Sequence, residues 1–121
     1  MNPKRFLLTV GANKRNLELL AQFLDKEGYQ TIAAATLDEF DQALNGSVEF
    51  KLALLDISGF DRGIWEHCER VQKKGIPLLV ISPKKSAAIQ QESLTHGARG
   101  VLVKPLVVKE LIALVRQLIA E

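Results

Sequence analysis

The feature that most constrains the fold is a regular alternation of two kinds of segment along the 121 residues. Short apolar runs, typical of strands buried on both faces of a parallel sheet, alternate with stretches whose apolar residues recur at helical spacing. The predicted strands cover residues 5–10, 29–34, 51–56, 76–81 and 101–103. This alternation predicts five strand–helix units, the pattern of an α/β sandwich.

The segments after each strand carry helix signals. Thr36 and Glu39 form a capping-box pattern, and Gly28 and Gly75 are typical helix stops. The predicted helices begin near residue 17 and stop at Gly28, then cover residues 36–44, 64–74, 87–95 and 108–120. Strands and helices therefore follow one another with short connections.

Short connections and right-handed crossovers predict a doubly wound, five-stranded parallel sheet with helices on both faces. Five units in a chain of this length favour the flavodoxin-like strand order 2-1-3-4-5 over a six-stranded dinucleotide fold. The glycine-rich signatures of nucleotide sites, G-x-G-x-x-G and G-x-x-x-x-G-K-[ST], are absent from the sequence. We expect residues 1–121 to form a single domain.

Composition narrows the function classes. A formal charge of +2, with the basic residues scattered among acids, does not indicate a nucleic-acid or membrane partner. One cysteine excludes an internal disulfide and any C-x-x-C motif. No apolar run approaches the ~18 residues of a membrane span, and a cytoplasmic location is expected.

Three polar side chains stand at the ends of predicted strands. Asp56 ends the third strand, Ser82 the fourth and Lys104 the fifth. Because ligands of open α/β sheets bind beyond the carboxyl ends of the strands, we expect these groups to meet at one edge. Asp56 alone could equally cap the following turn. A phosphorylated carboxylate, however, would carry about two negative charges that a lysine and a hydroxyl could stabilise.

The chain resembles the receiver domains of bacterial two-component response regulators (CheY-like) over essentially its whole length. The matching motifs are Leu54-Leu55-Asp56-Ile57, Val80-Ile81-Ser82 and Val103-Lys104-Pro105, with Gly97-Ala98 before the last strand. The resemblance implies that Asp56 accepts a phosphoryl group from a sensor kinase. It also implies that Ser82 and Lys104 contact that group, and that the Lys104–Pro105 bond is cis.

Three departures from the receiver pattern bear on function. Gly11 and Ala12 stand where receivers carry the acidic pair that binds a divalent cation, which leaves Asp56 and the Ser58 carbonyl as residual ligands for Mg²⁺. The loop after Asp56 lacks the Met-Pro of many receivers, and Val101 replaces their mobile aromatic residue. These departures predict a pseudo-receiver with slow or absent phosphoryl transfer and no cofactor, with Mg²⁺ expected only if the domain is competent for phosphorylation.

Two hypotheses follow for function. The favoured one is a receiver of a phosphorelay that acts through protein–protein interaction regardless of phosphate. The alternative is a working phosphoacceptor, phosphorylated on Asp56 by a histidine kinase. We expect no enzyme activity, because His67 and His96 lie on predicted helices away from the strand ends and Ser82 has no apparent histidine partner.

The final helix carries more apolar residues than a core stripe needs. Ile112 and Ile119 widen its apolar arc to roughly 160°, beyond the ~100° of a core-facing stripe. They either tuck against neighbouring helices or contribute to an exposed surface. The second interpretation predicts a homodimer or partner contact through the fourth helix, last strand and last helix, formed by Val101, Leu106, Val107, Ile112 and Ile119.

Overall fold

A computed structural model describes residues 5–119, which form five strands and five helices in strict alternation. In chain order the elements are β1 (Phe6–Val10), α1 (Lys14–Lys26), β2 (Gln30–Ala34), α2 (Leu37–Asn45), β3 (Phe50–Asp56), α3 (Ile64–Lys73), β4 (Leu78–Ser82), α4 (Ala87–Thr95), β5 (Gly100–Val103) and α5 (Val108–Ile119). The predicted alternation is confirmed. The expected end of the last helix, Ala120, lies outside the described residues.

The strands form one parallel sheet in the order β2-β1-β3-β4-β5, as predicted. β3 lies at its centre, and Leu52, Ala53, Leu54 and Leu55 are fully buried because helices cover both faces. All five strands run the same way, so their carboxyl ends share one edge. Asp56 is the last residue of β3 and therefore stands at that edge.

Two apolar cores lie on opposite faces of the sheet. One packs α2 and α3 against the sheet through residues such as Phe40, Cys68 and Val71. The other packs α1 and α5 through residues such as Leu24 and Leu111. The fold is thus the expected three-layer α/β sandwich.

Side-chain caps fix where three of the helices begin. Asn13, Thr36 and Ser86 each accept a hydrogen bond from the backbone N–H three residues later, which satisfies a donor that a helix leaves unpaired. Glu39 also accepts from the Ala35 N–H at 2.7 Å, one residue before the position of an ordinary capping box. Gly11, in the loop before α1, lies beside Asp56, so the Asn13 cap also shapes the site.

β4 starts at Leu78, two residues later than predicted. The Ile76 N–H donates to the Val71 carbonyl at 3.2 Å, where it closes the end of α3 instead of joining the sheet. Pro77 has no N–H, although its carbonyl accepts from Ala53 at 2.8 Å. The apolar run is continuous, but its first two residues belong to the turn.

Candidate functional site

The three predicted strand-end residues lie at one edge of the sheet, and two of them are in direct contact. The Lys104 ammonium lies 2.6 Å from Asp56 Oδ2. The other carboxylate oxygen, Oδ1, accepts a hydrogen bond from the Ser58 backbone N–H at 3.0 Å. Both oxygens of Asp56 therefore have a partner within the chain.

Burial makes this ion pair more than a surface contact. The side chains of Asp56 and Lys104 are 15% and 29% exposed, respectively. At such partly buried positions water screens charges less than at the surface, so each ion depends on the other for neutralisation. The sequence analysis expected the strand-end groups to meet at one edge, and Asp56 and Lys104 do so.

Ser82 faces a different partner. Its hydroxyl donates to the Lys84 carbonyl at 2.6 Å and accepts from the Lys84 N–H at 3.4 Å. The side chain is buried, and it is the last residue of β4. Ser82 thus stabilises the loop before α4 and makes no hydrogen bond to Asp56 in this structure.

The loop after β1 offers no carboxylate to a cation, and its one side-chain oxygen, Asn13 Oδ1, accepts a hydrogen bond from the Asn16 N–H. Gly11 lies directly beside Asp56, since a Cβ built on it would be 3.4 Å from the Asp56 Cβ and 3.3 Å from Leu17 Cδ2. Ala12 contributes only a methyl group, which packs against Gly59. Among residues 5–119, no three His, Cys, Asp or Glu side chains are grouped so that they could hold a metal ion. The donors present do not fit a divalent site with an acidic pair.

Three further features of the site can be compared with the sequence expectations. The Lys104–Pro105 peptide bond is cis, as the resemblance implied. Val101, at the position where the resemblance implied an aromatic residue, packs against the core on the α2–α3 face. The Ser58 hydroxyl is buried without a hydrogen-bond partner in the described part of the chain.

Comparison with known proteins shows which family this chain belongs to. The sequence model of the response regulator receiver domain matches residues 7–116. This chain belongs to the response regulator receiver family. Over 120 residues it is 31% identical to the transcriptional regulatory protein CusR of Escherichia coli K12, and the match covers 93% of this chain and 50% of CusR. The chain thus spans about half the length of the curated relatives it matches.

Solved structures agree with the fold. A receiver domain protein (CheY-like) of Methanospirillum hungatei superimposes with a TM-score of 0.87 at 26% identity, over 98% of this chain and 95% of that one. A two-component response regulator from Clostridium difficile gives a TM-score of 0.88 at 22% identity, over 98% of both chains. The CheY-like topology predicted for this receiver domain is therefore shown.

The proposed interaction surface of the receiver needs one correction. Ile112 is 7% exposed and belongs to the core formed with α1, so it adds nothing to a surface patch. Ile119 is half-buried against the same core. Val107 is 52% exposed and Leu106 is half-buried, so these two remain at the surface. The wide apolar arc of α5 is mostly used to cover the sheet.

The two histidines lie away from Asp56, on the α2–α4 face of the receiver. His67 Nε2 is 2.9 Å from Asp41 on α2, although the angle is too poor for a hydrogen bond. His96 stacks on Trp65 and contacts carboxylates on α3 and α4.

The cysteine of α3 is also a packing residue. Burial raises the pKa of the Cys68 thiol to about 12, and a backbone hydrogen bond offsets this in part. These residues hold helices together, as packing residues do.

Sequence reasoning missed one part of the site. A groove between α1 and α5 runs up to Asp56 and Lys104, lined on one side by Leu19 and Phe23 of α1. Leu19 and Phe23 are four residues apart, so they lie on the same side of α1. Neither belongs to the buried stripe of that helix, which is formed by Leu17, Leu20 and Leu24. That offset pair was the available signal, but only the structure shows that α5 lies opposite.

Proposed function

We propose that this receiver domain is a pseudo-receiver that acts through protein–protein contacts and does not need metal-assisted phosphoryl transfer to Asp56. The supporting observation is the ion pair between Lys104 and Asp56 at 2.6 Å. In this pair a lysine of the chain itself supplies the positive charge that a bound cation would otherwise bring. Asp56 is neutralised before any ligand arrives.

Phosphoryl transfer depends on positioning and on neutralising the moving group, and a divalent cation supplies much of both. Mg²⁺ is usually held by one or two carboxylates and several waters. Here Gly11 and Ala12 provide none, and Asp56 would have to exchange Lys104 for the cation. A weak cation site therefore makes transfer slow or absent.

A second candidate is a working phosphoacceptor, phosphorylated on Asp56 by a histidine kinase and using Mg²⁺. The placement of Asp56 at the end of the central strand favours it, since the side chain is 15% exposed and open to the α1–α5 groove. Lys104 is also in place to contact a phosphoryl oxygen. The two candidates differ in one measurable property, which is transfer to Asp56.

The proposed partners are signalling proteins: an upstream kinase in the second candidate, and an output partner in both. CusR carries the description of a transcriptional regulatory protein, which makes transcriptional output one possible role for a larger protein containing this domain. We propose a cytoplasmic site of action and no catalytic activity. Among residues 5–119, no helix combines the length and apolarity needed to cross a membrane.

Phosphorylation is tested with a small-molecule phosphoryl donor, millimolar Mg²⁺ and intact-mass measurement. We expect no phosphoryl adduct on the wild type and no sub-millimolar Mg²⁺ binding by calorimetry. An adduct on the wild type that disappears in Asp56→Asn would establish the phosphoacceptor instead. Mg²⁺ binding lost in the same variant would likewise contradict the proposal.

A gain-of-function variant makes the negative result informative. Gly11→Asp with Ala12→Asp restores carboxylates beside Asp56, and the Gly11 position needs shifts of only a few tenths of an ångström to accept a Cβ. We expect this double variant to bind Mg²⁺ at least tenfold more tightly than the wild type, because it adds two hard oxygen ligands. It should also gain an adduct that Asp56→Asn removes. Failure of the restored variant to bind Mg²⁺ would show that the missing acids are not the cause.

The contact surface of the proposed module includes Leu106 and Val107, which directly precede α5. Val107 is the most exposed large apolar residue among those described, at 52%. A homodimer through this face should weaken on Val107→Glu, whereas Val48→Glu at the opposite end of the sheet serves as the matched control. Sedimentation of a wild type that stays monomeric at high concentration would exclude the homodimer and leave only a different partner.

A further inference from the structure

The ring of His96 joins the carboxyl end of α4 to α3. Its Nδ1 lies 2.9 Å from Glu69 Oε1 on α3, and its Nε2 lies 3.1 Å from Glu92 Oε2 on α4. The ring also stacks on Trp65 of α3, with an angle of 15° between the two planes. The His96 side chain is 24% exposed, so it lies between the two helices and not in open solvent.

The rest of α4 is weakly fixed by apolar packing. The residue that this helix buries is a serine, Ser93. Gly97, just beyond the helix, lies so close to α3 that a Cβ built on it would be 2.7 Å from the Gln72 side chain. The end of α4 therefore lies directly on α3, and the contacts of His96 are a large part of what joins the two helices.

The two carboxylates make this contact depend on the charge of the ring. A neutral imidazole has one N–H donor and one lone pair, whereas the charged ring has two N–H donors. When the ring is neutral, one carboxylate faces a lone pair, and that contact is repulsive. When the ring is charged, Glu69 and Glu92 each accept a charge-assisted hydrogen bond. Protonation therefore strengthens the contact between α3 and α4.

The surroundings of the ring also favour its charged form. His96 ends α4, where the helix dipole favours a cation, and the last turn of this helix has no basic residue of its own. The face of Trp65 attracts a cation as well. Among residues 5–119, the charged groups in contact with the ring or its partners are Glu69, Glu92 and Arg62. Arg62 is 3.9 Å from Glu92 and 90% exposed, so it competes little with the ring.

The other histidine of the chain shows why the effect is expected at His96. His67 also has an acceptor at each ring nitrogen, with the Gly63 carbonyl 3.1 Å from Nδ1 and Asp41 2.9 Å from Nε2. Asp41, however, is already paired with the Arg70 guanidinium. A charged His67 ring would lie close to that cation, so this contact gains less from protonation.

We propose that His96 is a proton-sensitive contact that sets how firmly α4 is held against α3. Histidine is the side chain whose charge ordinarily changes between about pH 5 and 8. At the lower end of this range the charged ring binds both carboxylates, and at the upper end the neutral ring binds one. α4 then opens more often, while α5 and the sheet are unaffected. The proposal does not rest on whether Asp56 is phosphorylated.

The test is amide hydrogen exchange of the wild type between about pH 5.5 and about pH 8, where glutamates stay ionised. Rates are expressed as protection factors, which remove the intrinsic pH dependence of exchange. We expect protection in α4 to fall about three- to fivefold as pH rises, the size expected for one ion pair between partly exposed groups. Protection in α5 should stay constant. The ¹⁵N shifts of the His96 ring in the same samples should change over the same pH range.

Matched variants assign the effect to this ring. In Glu69→Gln the amide can donate to Nδ1 while Nε2–H donates to Glu92, so a neutral ring satisfies both partners. This variant should keep the protection of α4 and lose most of its pH dependence. His96→Gln should exchange faster in α4 at every pH, with no pH dependence left. The control is Glu66→Gln, an exposed glutamate of α3 away from the ring, which should behave as the wild type.

Three results would overturn the proposal. The first is protection in α4 that stays constant while the His96 ring titrates. The second is an equal pH dependence in the wild type and in His96→Gln, which would place the titrating group elsewhere. The third is an unchanged pH dependence in Glu69→Gln, because the second carboxylate would then have no part in the effect.

Discussion

α4 and α5 lie on opposite faces of the same sheet and are attached to it by different forces. α5 buries Leu111, Ile112 and Val115 in the core shared with α1. In α4 the buried side chain is that of Ser93, whose hydroxyl donates to Ile89 within the helix, while Leu94 is 50% exposed. Apolar burial therefore fixes α5, but contributes little to holding α4.

Polar contacts at its carboxyl end hold α4 instead. His96 Nδ1 lies 2.9 Å from Glu69 on α3, and Nε2 lies 3.1 Å from Glu92 on α4. The ring also stacks on Trp65, with centroids 5.7 Å apart. A neutral imidazole donates only one hydrogen bond, so both carboxylates have a donor only when the ring is charged.

This difference between α4 and α5 indicates which helix of the domain can move at a low cost in free energy. Contacts between partly exposed charges can be replaced by water, whereas a buried apolar stripe cannot. Segments with few buried apolar contacts are those that open locally before the whole protein unfolds. We therefore expect α4 to be the more mobile of the two helices, with α5 and the sheet as a fixed base.

The largest expected effect comes from α5. Leu111→Ala should lower the free energy of unfolding by about 2–5 kcal/mol, because it leaves a cavity in a fully buried site. The matched change Leu94→Ala in α4 should cost about 0.5 kcal/mol or less, since half of that side chain is already in water. Urea denaturation measures both. Equal losses in the two helices would remove the contrast.

The pH dependence of stability tests whether α3 is as firmly packed as α5 and the sheet. This helix carries Glu69 and Trp65, which contact His96 at the end of α4. The Cys68 thiol of α3 is buried, and its pKa is raised from 9.0 to about 12. Between these values the unfolded chain loses the proton and the folded chain keeps it, so stability falls as pH rises. From about pH 8 to about pH 10.5 the wild type should lose about 2 kcal/mol more than Cys68→Ala.

The readout is the difference between two urea midpoint series, one for each protein, so that lysine and tyrosine titrations common to both cancel. The lower stability of Cys68→Ala at neutral pH does not affect the comparison. Parallel pH curves for the two proteins would mean that the thiol is accessible to water in the folded state. In that case α3 would open together with α4.

The smallest effect on global stability, and the most local one, is expected at His96. His96→Gln should cost about 1 kcal/mol or less, because its carboxylate partners are 41% and 48% exposed. Amide hydrogen exchange within α4 should nevertheless speed up several-fold, while exchange in α5 stays unchanged. The control is Asp41→Asn, which weakens the contacts of Asp41 on α2 with His67 and Arg70 on α3 and leaves α4 untouched. Faster exchange in α5 would contradict a local role.

The sequence allowed most of this fold to be predicted because local signals agree with it. The helix over residues 87–95 was predicted with the bounds that the structure has, and in the structure Ser86 caps it and Gly97 follows its end. The approach of Lys104 to Asp56 could be predicted because Asp56 ends one parallel strand and Lys104 directly follows the end of another. Each of these inferences needs only the chain near one residue and the direction of the strands.

Other features depend on contacts between distant segments. The spacing of Ile112 is compatible with either a surface or a core position, and only the packing of α5 beside α1 decides for the core. The groove also depends on such contacts, because Leu19 and Phe23 form it only together with residues about 85 positions later in the chain. The hydrogen bond of Ser82 to Lys84 depends on the path of one loop. Periodicity carries no information about any of these.

The Lys104–Asp56 pair makes two binding equilibria interdependent. A carboxylate on Lys104 would weaken its hold on Asp56, and a cation on Asp56 would release Lys104 for a carboxylate. Equilibria that share a group in this way are reciprocal, so each ligand changes the affinity of the other by the same factor. A carboxylate bound to Lys104 and a divalent cation bound to Asp56 should therefore show positive cooperativity, because both compete with the same ion pair.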